Sequence, residues 1–194
     1  MMKLPPVLSC AFAAFLIPSI ASADLVFNGG FELGDFTGWI LSGNPIPGMV
    51  DTANPHSGTF AADLTALDSP SFMEQMLATT PGAMYDLTYF LDVSKPFTSG
   101  TVVEFLMQLN GVTVFDHTNI PPQPYTRYSF PFLATGTSTD LKFGFRYDAG
   151  SLFLDDISVN AVPEPSSVWL GLLVTAFAIV VVRRRQPASA EPRS

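Results

Sequence analysis

Cysteine is almost missing from this chain: its 194 residues hold one, Cys10. It sits inside an apolar stretch near the start, ahead of most of it, with Leu8 rather than a small residue two places before it. That placement excludes a lipidated N-terminal cysteine. The rest of the chain then has no disulfide, no thiolate nucleophile and no cysteine zinc site. Histidine is nearly as scarce. His56 stands beside Ser57 and His117 beside Asp116. Neighbours along a strand point to opposite faces, and the spacing of the two histidines fits no helical zinc motif. No Gly-x-Ser-x-Gly elbow is there to expose a serine nucleophile. Carboxylates abound, yet nothing singles out two of them as a glycosidase pair. A hydrolase is the weakest functional reading.

Positive charge is the next shortage. Nine Lys and Arg face seventeen Asp and Glu, and three of the nine are the consecutive Arg183, Arg184 and Arg185. Between residues 24 and 160 the basic residues are Lys95, Arg127, Lys142 and Arg146, and fifteen acidic ones leave that stretch at a formal −11. Such a domain lacks the basic face that counterion release from nucleic acid requires, so nucleic acid is excluded as a partner. The charge keeps an exported domain soluble and tolerates divalent cations. Sustained helical periodicity and internal repeats are also missing from this stretch.

What the chain does have begins at its two ends. Lys3, the apolar run 7–20 and the A-x-A site at Ala21-Ser22-Ala23 form a secretory signal peptide, residues 1–23, with the mature chain starting at Asp24. At the other end, residues 166–182 carry no charge. As a helix they would reach roughly 26 Å at about 1.5 Å per residue, near the lower limit for a membrane span. Trp169 suits one headgroup boundary, and Arg183, Arg184 and Arg185 close the other end as a cytoplasmic stop. Pro163 and Pro165 keep the lead-in extended.

Residues 24–160 alternate polar and apolar. On 141–147, Leu141, Phe143, Phe145 and Tyr147 share one face and Lys142 and Arg146 the other. Strands are predicted over 59–64, 72–78, 84–91, 101–109, 126–132, 141–147 and 152–159. Turn signals stand between them at Pro81-Gly82, Ser99-Gly100, Asn110-Gly111 and Ala149-Gly150, and Asn110-Gly111 predicts a tight hairpin. Many short strands with regular turns predict one all-β sandwich domain. Large aromatics dominate sandwich cores, so Trp39 is read as core.

Val162-Pro163-Glu164-Pro165, followed by the apolar run and the arginine cluster, resembles the PEP-CTERM sorting signal of certain Gram-negative bacteria, here spanning 161–185. The resemblance covers only the C-terminal end of the chain. It implies recognition by exosortase, a membrane-embedded cysteine protease-transpeptidase that cuts near Pro-Glu-Pro. The polar tail 186–194 departs from the pattern, since such signals end soon after the basic residues. A plain membrane anchor is the alternative.

A second resemblance covers nearly the whole of 24–160. Leu25 to Glu32 (Leu-Val-Phe-Asn-Gly-Gly-Phe-Glu) and Gly34-Asp35-Phe36-Thr37-Gly38-Trp39 open it. His56-Ser57-Gly58, Gln75, Thr80-Pro81-Gly82 with Tyr85, Asn110-Gly111 and Leu154-Asp155-Asp156-Ile157-Ser158-Val159 follow in order. Together they resemble carbohydrate-binding-module-like, galactose-binding-type domains, and the resemblance implies an antiparallel jelly roll. It also implies a structural calcium near the first and last strands, with Glu32, Asp155 and Asp156 as candidate ligands. The other reading of those carboxylates is that they cap strand ends or bind backbone amides. Strand alternation places Asp155 on the face of Phe153 and Ile157. An aromatic rim for sugar contact is sought at Tyr125 and Tyr128, which flank Arg127 beside a proline-rich loop.

The expectation is an exported, non-enzymatic jelly-roll protein. The C-terminal helix would hold it in the inner membrane with the domain on the periplasmic side. Exosortase would then deliver it to the cell surface or extracellular matrix, in a structural, adhesive or carbohydrate-binding role with exopolysaccharide as partner. The alternative is a periplasmic binding domain that stays anchored.

Overall fold

The computed structural model describes residues 23–43, 48–93 and 102–163. Most of the predicted signal peptide including Ala21, the motif residues Glu164 and Pro165, the predicted span, Arg183 to Arg185 and the tail lie outside these residues. Ala23, at the predicted cleavage site, is described and exposed.

The described residues form ten strands and no helix. They are β1 (Ile40–Gly43), β2 (Met49–Asp51), β3 (Ala61–Leu64), β4 (Ser71–Ala78), β5 (Met84–Val93), β6 (Val103–Leu109), β7 (Val112–Thr118), β8 (Gln123–Leu133), β9 (Ser138–Tyr147) and β10 (Leu152–Ala161). Two five-stranded sheets face each other, the first in the order β1-β4-β9-β6-β7 and the second β2-β3-β10-β5-β8. Every pairing is antiparallel. This is the expected all-β sandwich. The seven predicted strands correspond to β3, β4, β5, β6, β8, β9 and β10. The sequence reading did not outline β1, β2 or β7. The first two are only four and three residues long. Along β7 only Phe115 is even partly covered, so no alternation marks it. Asn110 and Gly111 do make the predicted hairpin from β6 to β7, at φ 51° and 75°.

Alternation builds the core. Leu141, Phe143, Phe145 and Tyr147 of β9 lie beside Val103, Phe105, Met107 and Leu109 of the neighbouring β6, and both rows face the inner side chains of β5 in the other sheet, namely Tyr85, Leu87, Tyr89, Leu91 and Val93. The aromatic rings lock together: Tyr89 meets Phe143 edge-on at 5.3 Å and stacks on Tyr128 at 5.3 Å. Each fully buried ring of this kind contributes about 1.5–3 kcal/mol through lost water contact. Trp39 is buried among them as expected, donating from Nε1 to Asn28 O at 3.2 Å.

One local prediction is corrected. Asp155 does share a face with Phe153, but not with Ile157. Asp156 adopts φ 49°, and the β10–β5 register shifts between Asp155 and Ser158. The extra residue is a β-bulge, which reverses the in–out phase of the strand. Leu152, Leu154, Ile157 and Val159 all reach the core as a result, while Asp155 turns to the outside of the second sheet.

Candidate functional site

The outer face of the second sheet is roofed by its own chain. Residues 52–60, between β2 and β3, fold over β10 and β5 and are held there by carboxylates. Asp155 Oδ2 accepts the amides of His56 (2.8 Å) and Ser57 (3.2 Å), and its Oδ1 accepts the Asp156 amide (2.7 Å). Asp156 takes the Ser57 hydroxyl at 2.7 Å and meets His56 Nδ1 at 2.7 Å. Glu32 accepts the amides of Thr59 at 2.9 Å and Phe60 at 3.1 Å. The His56 ring stacks on Phe90 with centroids 3.8 Å apart. Asp155 has no exposed surface, and burial, outweighing its three amide donors, pushes its carboxyl up to about 6.

The three carboxylates proposed as calcium ligands are therefore brought together. A Cβ at Gly30 would lie 3.5 Å from Asp156 Oδ1 and 3.8 Å from both Asp155 Oδ1 and Glu32 Cγ. Their oxygens, however, are engaged by N–H and O–H donors that a calcium shell would have to displace. Among the described residues no group of three or more His, Cys, Asp or Glu is arranged to hold a metal ion. As placed, these side chains form a clasp on 56–60.

The two candidate tyrosines part company. Tyr125 lies on the outer side of β8 but is half-buried beneath the roof. Its hydroxyl donates to Asn54 O at 2.6 Å, and its ring meets His56 edge-on at 5.0 Å. Burial, then the charges of Asp155, Asp92, Asp156 and Asp51, hold that phenol protonated well above its ordinary range. Tyr128, an odd number of residues away, points inward and stacks on Tyr89. Both candidates flank Arg127 in sequence, but strand phase sends them to opposite faces of the second sheet. A groove of about 170 Å³ beside the roof has Gly48, Met49, Asp63 and Thr65 in its lining, with no aromatic ring among the described ones.

The outer face of the first sheet is built differently. On its central strand β9, Gly144 pairs with Phe72 of β4 and Leu106 of β6. A Cβ at Gly144 would stand 2.8 Å from Leu106 Cγ and from Phe72 Cε1, so both side chains lean over bare backbone. Lys142 pairs with Glu74 and Gln108 across the same two strands. Its ammonium lies 2.5 Å from Glu74 Oε2 and 5.8 Å from the centre of the Phe72 ring. The hydrogen bond to Glu74 holds Lys142 above its ordinary pKa. Arg146 pairs with Glu104 and forks onto Asp148, Nε to Oδ1 and Nη2 to Oδ2, both at 2.8 Å. That hydrogen-bonded fork raises the guanidinium and lowers Asp148. Such partly exposed, solvent-screened pairs add little to stability. Their effect is to fix donors and acceptors in a row beside an aromatic ring. The alternation on 141–147 places Lys142 and Arg146 on one outer face; nothing in the linear pattern marks Phe72 and Leu106 as their flanking neighbours.

Next to the expected sorting motif, β10 runs through Ala161, and the Val162 amide still donates to Met84 O at 2.8 Å. Val162 is 42% exposed, and Pro163 is also exposed.

No family model matches the chain, and neither does any curated protein sequence. Solved structures do resemble it. A family 61 carbohydrate-binding module in complex with β-1,4-galactotriose matches at TM-score 0.52 and 19% identity, over 73% of this chain and all (100%) of that one. A family 22 xylan-binding domain matches at TM-score 0.54 and 12% identity, over 74% of this chain and 97% of its own. A family 22 xylan-binding domain from Paenibacillus barcinonensis gives 0.51 and 14%, over 73% and 96%. An arabinose-bound α-L-arabinofuranosidase also matches, at 0.52 and 13%, but over only 27% of its chain. These likenesses establish the fold. The domain is a jelly-roll sandwich of the kind found in carbohydrate-binding modules.

Proposed function

We propose that residues 24–162 form a non-catalytic glycan-binding module, exported and sorted to the cell surface or extracellular matrix. The binding surface is the outer face of the first sheet. The observation that carries this reading is the arrangement on β9 and its neighbours. Phe72 and Leu106 lean over Gly144, with the Lys142–Glu74 and Arg146–Asp148 pairs fixed on the same face. An apolar ring packs on the C–H face of a sugar, and oriented charged groups exchange hydrogen bonds with its hydroxyls. A few convergent polar groups beside aromatic surface are the usual make-up of small-ligand sites. The ligands of the structural neighbours, a galactotriose and xylan, support the same chemistry. Sorting rests on the C-terminal motif read from sequence, with exosortase and the inner membrane as partners.

A glycan array followed by calorimetry on the best ligand tests the reading. Phe72→Ala and Lys142→Ala are each expected to weaken binding about tenfold or more, equal to about 1.4 kcal/mol. Tyr125→Phe, under the roof, is expected to leave affinity unchanged. A module that binds no glycan, or whose binding survives Phe72→Ala and fails with Tyr125→Phe, contradicts this assignment. A solely structural or adhesive role predicts the first of those results.

A further inference from the structure

Two of the three cations among the described residues, Lys142 and Arg146, stand on the central strand of the proposed binding face. Neither is free to receive an anion. Lys142 holds Glu74, with Asp140 also beside it. Arg146 has its fork on Asp148, with Glu104 and Asp68 nearby. Asp116 of β7 pairs with Leu106 on the same outer side. Two cations thus stand among six carboxylates, a formal −4 around Phe72, Gly144 and Leu106. The third cation, Arg127, is the most exposed of the three at 54% and the most loosely paired, 4.0 Å from Asp86. It lies opposite Phe90 on the outer side of the second sheet, away from this face.

That arrangement decides what kind of sugar the face accepts. A uronic acid presents a carboxylate, which needs a cation with donors to spare. Here it would have to take Lys142 from Glu74 or Arg146 from Asp148. The displaced partner would then stand beside it as an unpaired like charge, a juxtaposition that suppresses binding. A sugar hydroxyl meets no such obstacle. It donates to the carboxylate lone pairs that the ion pairs leave open, and it accepts from the remaining ammonium and guanidinium N–H groups. Both pairs stay intact while it binds. We propose that the outer face of the first sheet selects uncharged glycans and turns away chains that carry uronic acids. This rests on the reading of that face as a glycan site, and it narrows the expected exopolysaccharide partner to a neutral one. The surrounding carboxylates determine specificity: they hold two cations oriented for hydroxyls while denying them to anions.

The test offers the full chain, held in detergent, an array of neutral polysaccharides, β-1,4-galactan and xylan among them. Each is present bare, carboxymethylated, and carboxymethylated then methyl-esterified, which keeps the bulk and cancels the charge. Polygalacturonate is the natural acidic probe. The bare and esterified forms are expected to bind alike, and the carboxymethylated forms about tenfold or more weaker at low salt. Salt screens exposed charges, so the gap is expected to shrink as salt is raised. The double variant Glu104→Gln, Asp116→Asn leaves the Lys142–Glu74 and Arg146–Asp148 pairs in place and is expected to narrow the gap severalfold at low salt. Carboxymethylated chains or polygalacturonate that bind as well as the bare sugars overturn the inference. So does a gap that neither salt nor the double variant changes, or an ester that weakens binding as much as the acid, since bulk rather than charge would then be excluded. A chain that binds no polysaccharide, charged or neutral, refutes the glycan-binding reading itself, a different failure from a loss of charge selection.

Discussion

Tyr89 shows how a single atom can oppose the fold around it. Its ring fills the centre of the core against Phe105, Phe143, Tyr128 and Phe130, yet its hydroxyl is buried without a hydrogen-bond partner. Burial raises that phenol far above its ordinary pKa. A buried unpaired hydroxyl costs about 1–3 kcal/mol of desolvation. Tyr89→Phe keeps the ring and removes the cost, so the denaturant midpoint is expected to rise, by about 1 kcal/mol in stability with an unchanged m-value. A lower midpoint would show that the hydroxyl is paired in solution. Asp155 carries a different signature. Its folded-state carboxyl sits at about 6, above the ordinary 3.8. The folded protein therefore binds that proton more tightly than the unfolded chain does, and the contribution of this group to stability falls as pH rises from about 4 to about 6. Asp155→Asn is expected to flatten that part of a melting-temperature profile against pH. A profile with the same slope in both proteins would place the titration elsewhere.

Among elements, the 52–60 roof is the least regular and the most dependent on distant residues. It contains no strand and rests on Glu32, Asp155 and Asp156, the last two about a hundred positions away along the chain (separations of 98 to 100). Glu32→Ala removes the acceptor for two amides, and a hydrogen bond to a charged group is worth about 1.5–3 kcal/mol. The expected result is faster proteolytic cutting within 52–60 and a lower melting temperature. Because the carboxylates already hold amides, adding calcium after chelation is expected to leave the melting temperature unchanged. A rise of several degrees would mean that the ion displaces those donors. The strands themselves were legible wherever one side was buried and the other wet. β9 is the clearest case, since every second residue from Thr139 to Tyr147 lies in the core. β7 was not outlined, because an edge strand exposed on both sides has no reason to alternate.

At the scale of the molecule, the sandwich and its two ends divide the work. The Val162 amide still bonds to Met84 of β5, so the proposed sorting motif begins at a residue fastened to the second sheet. Replacing Glu164 with Ala is expected to leave membrane insertion intact while reducing processing, read as the mass of the mature C-terminus. An unchanged mass distribution would remove the motif's role in recognition, and a wild-type chain that keeps its end at Ser194 in the membrane would mark it as a permanent anchor.

The linear pattern alone carried the all-β class, most strands, the acidic character, the hairpin at Asn110-Gly111 and the expected export and sorting ends. Each of these depends on composition or on contacts a few residues apart. Which face each side chain takes was decided only in three dimensions. The bulge at Asp156 reverses the phase of β10, and a one-residue slip leaves no trace in alternation. Tyr125 is covered by Asn54 and His56 from a loop far away in sequence, whereas Phe72 and Leu106 meet over Gly144 because β4, β9 and β6 happen to be neighbours. That meeting is a product of strand order, which arises when separate stretches bury their apolar sides together.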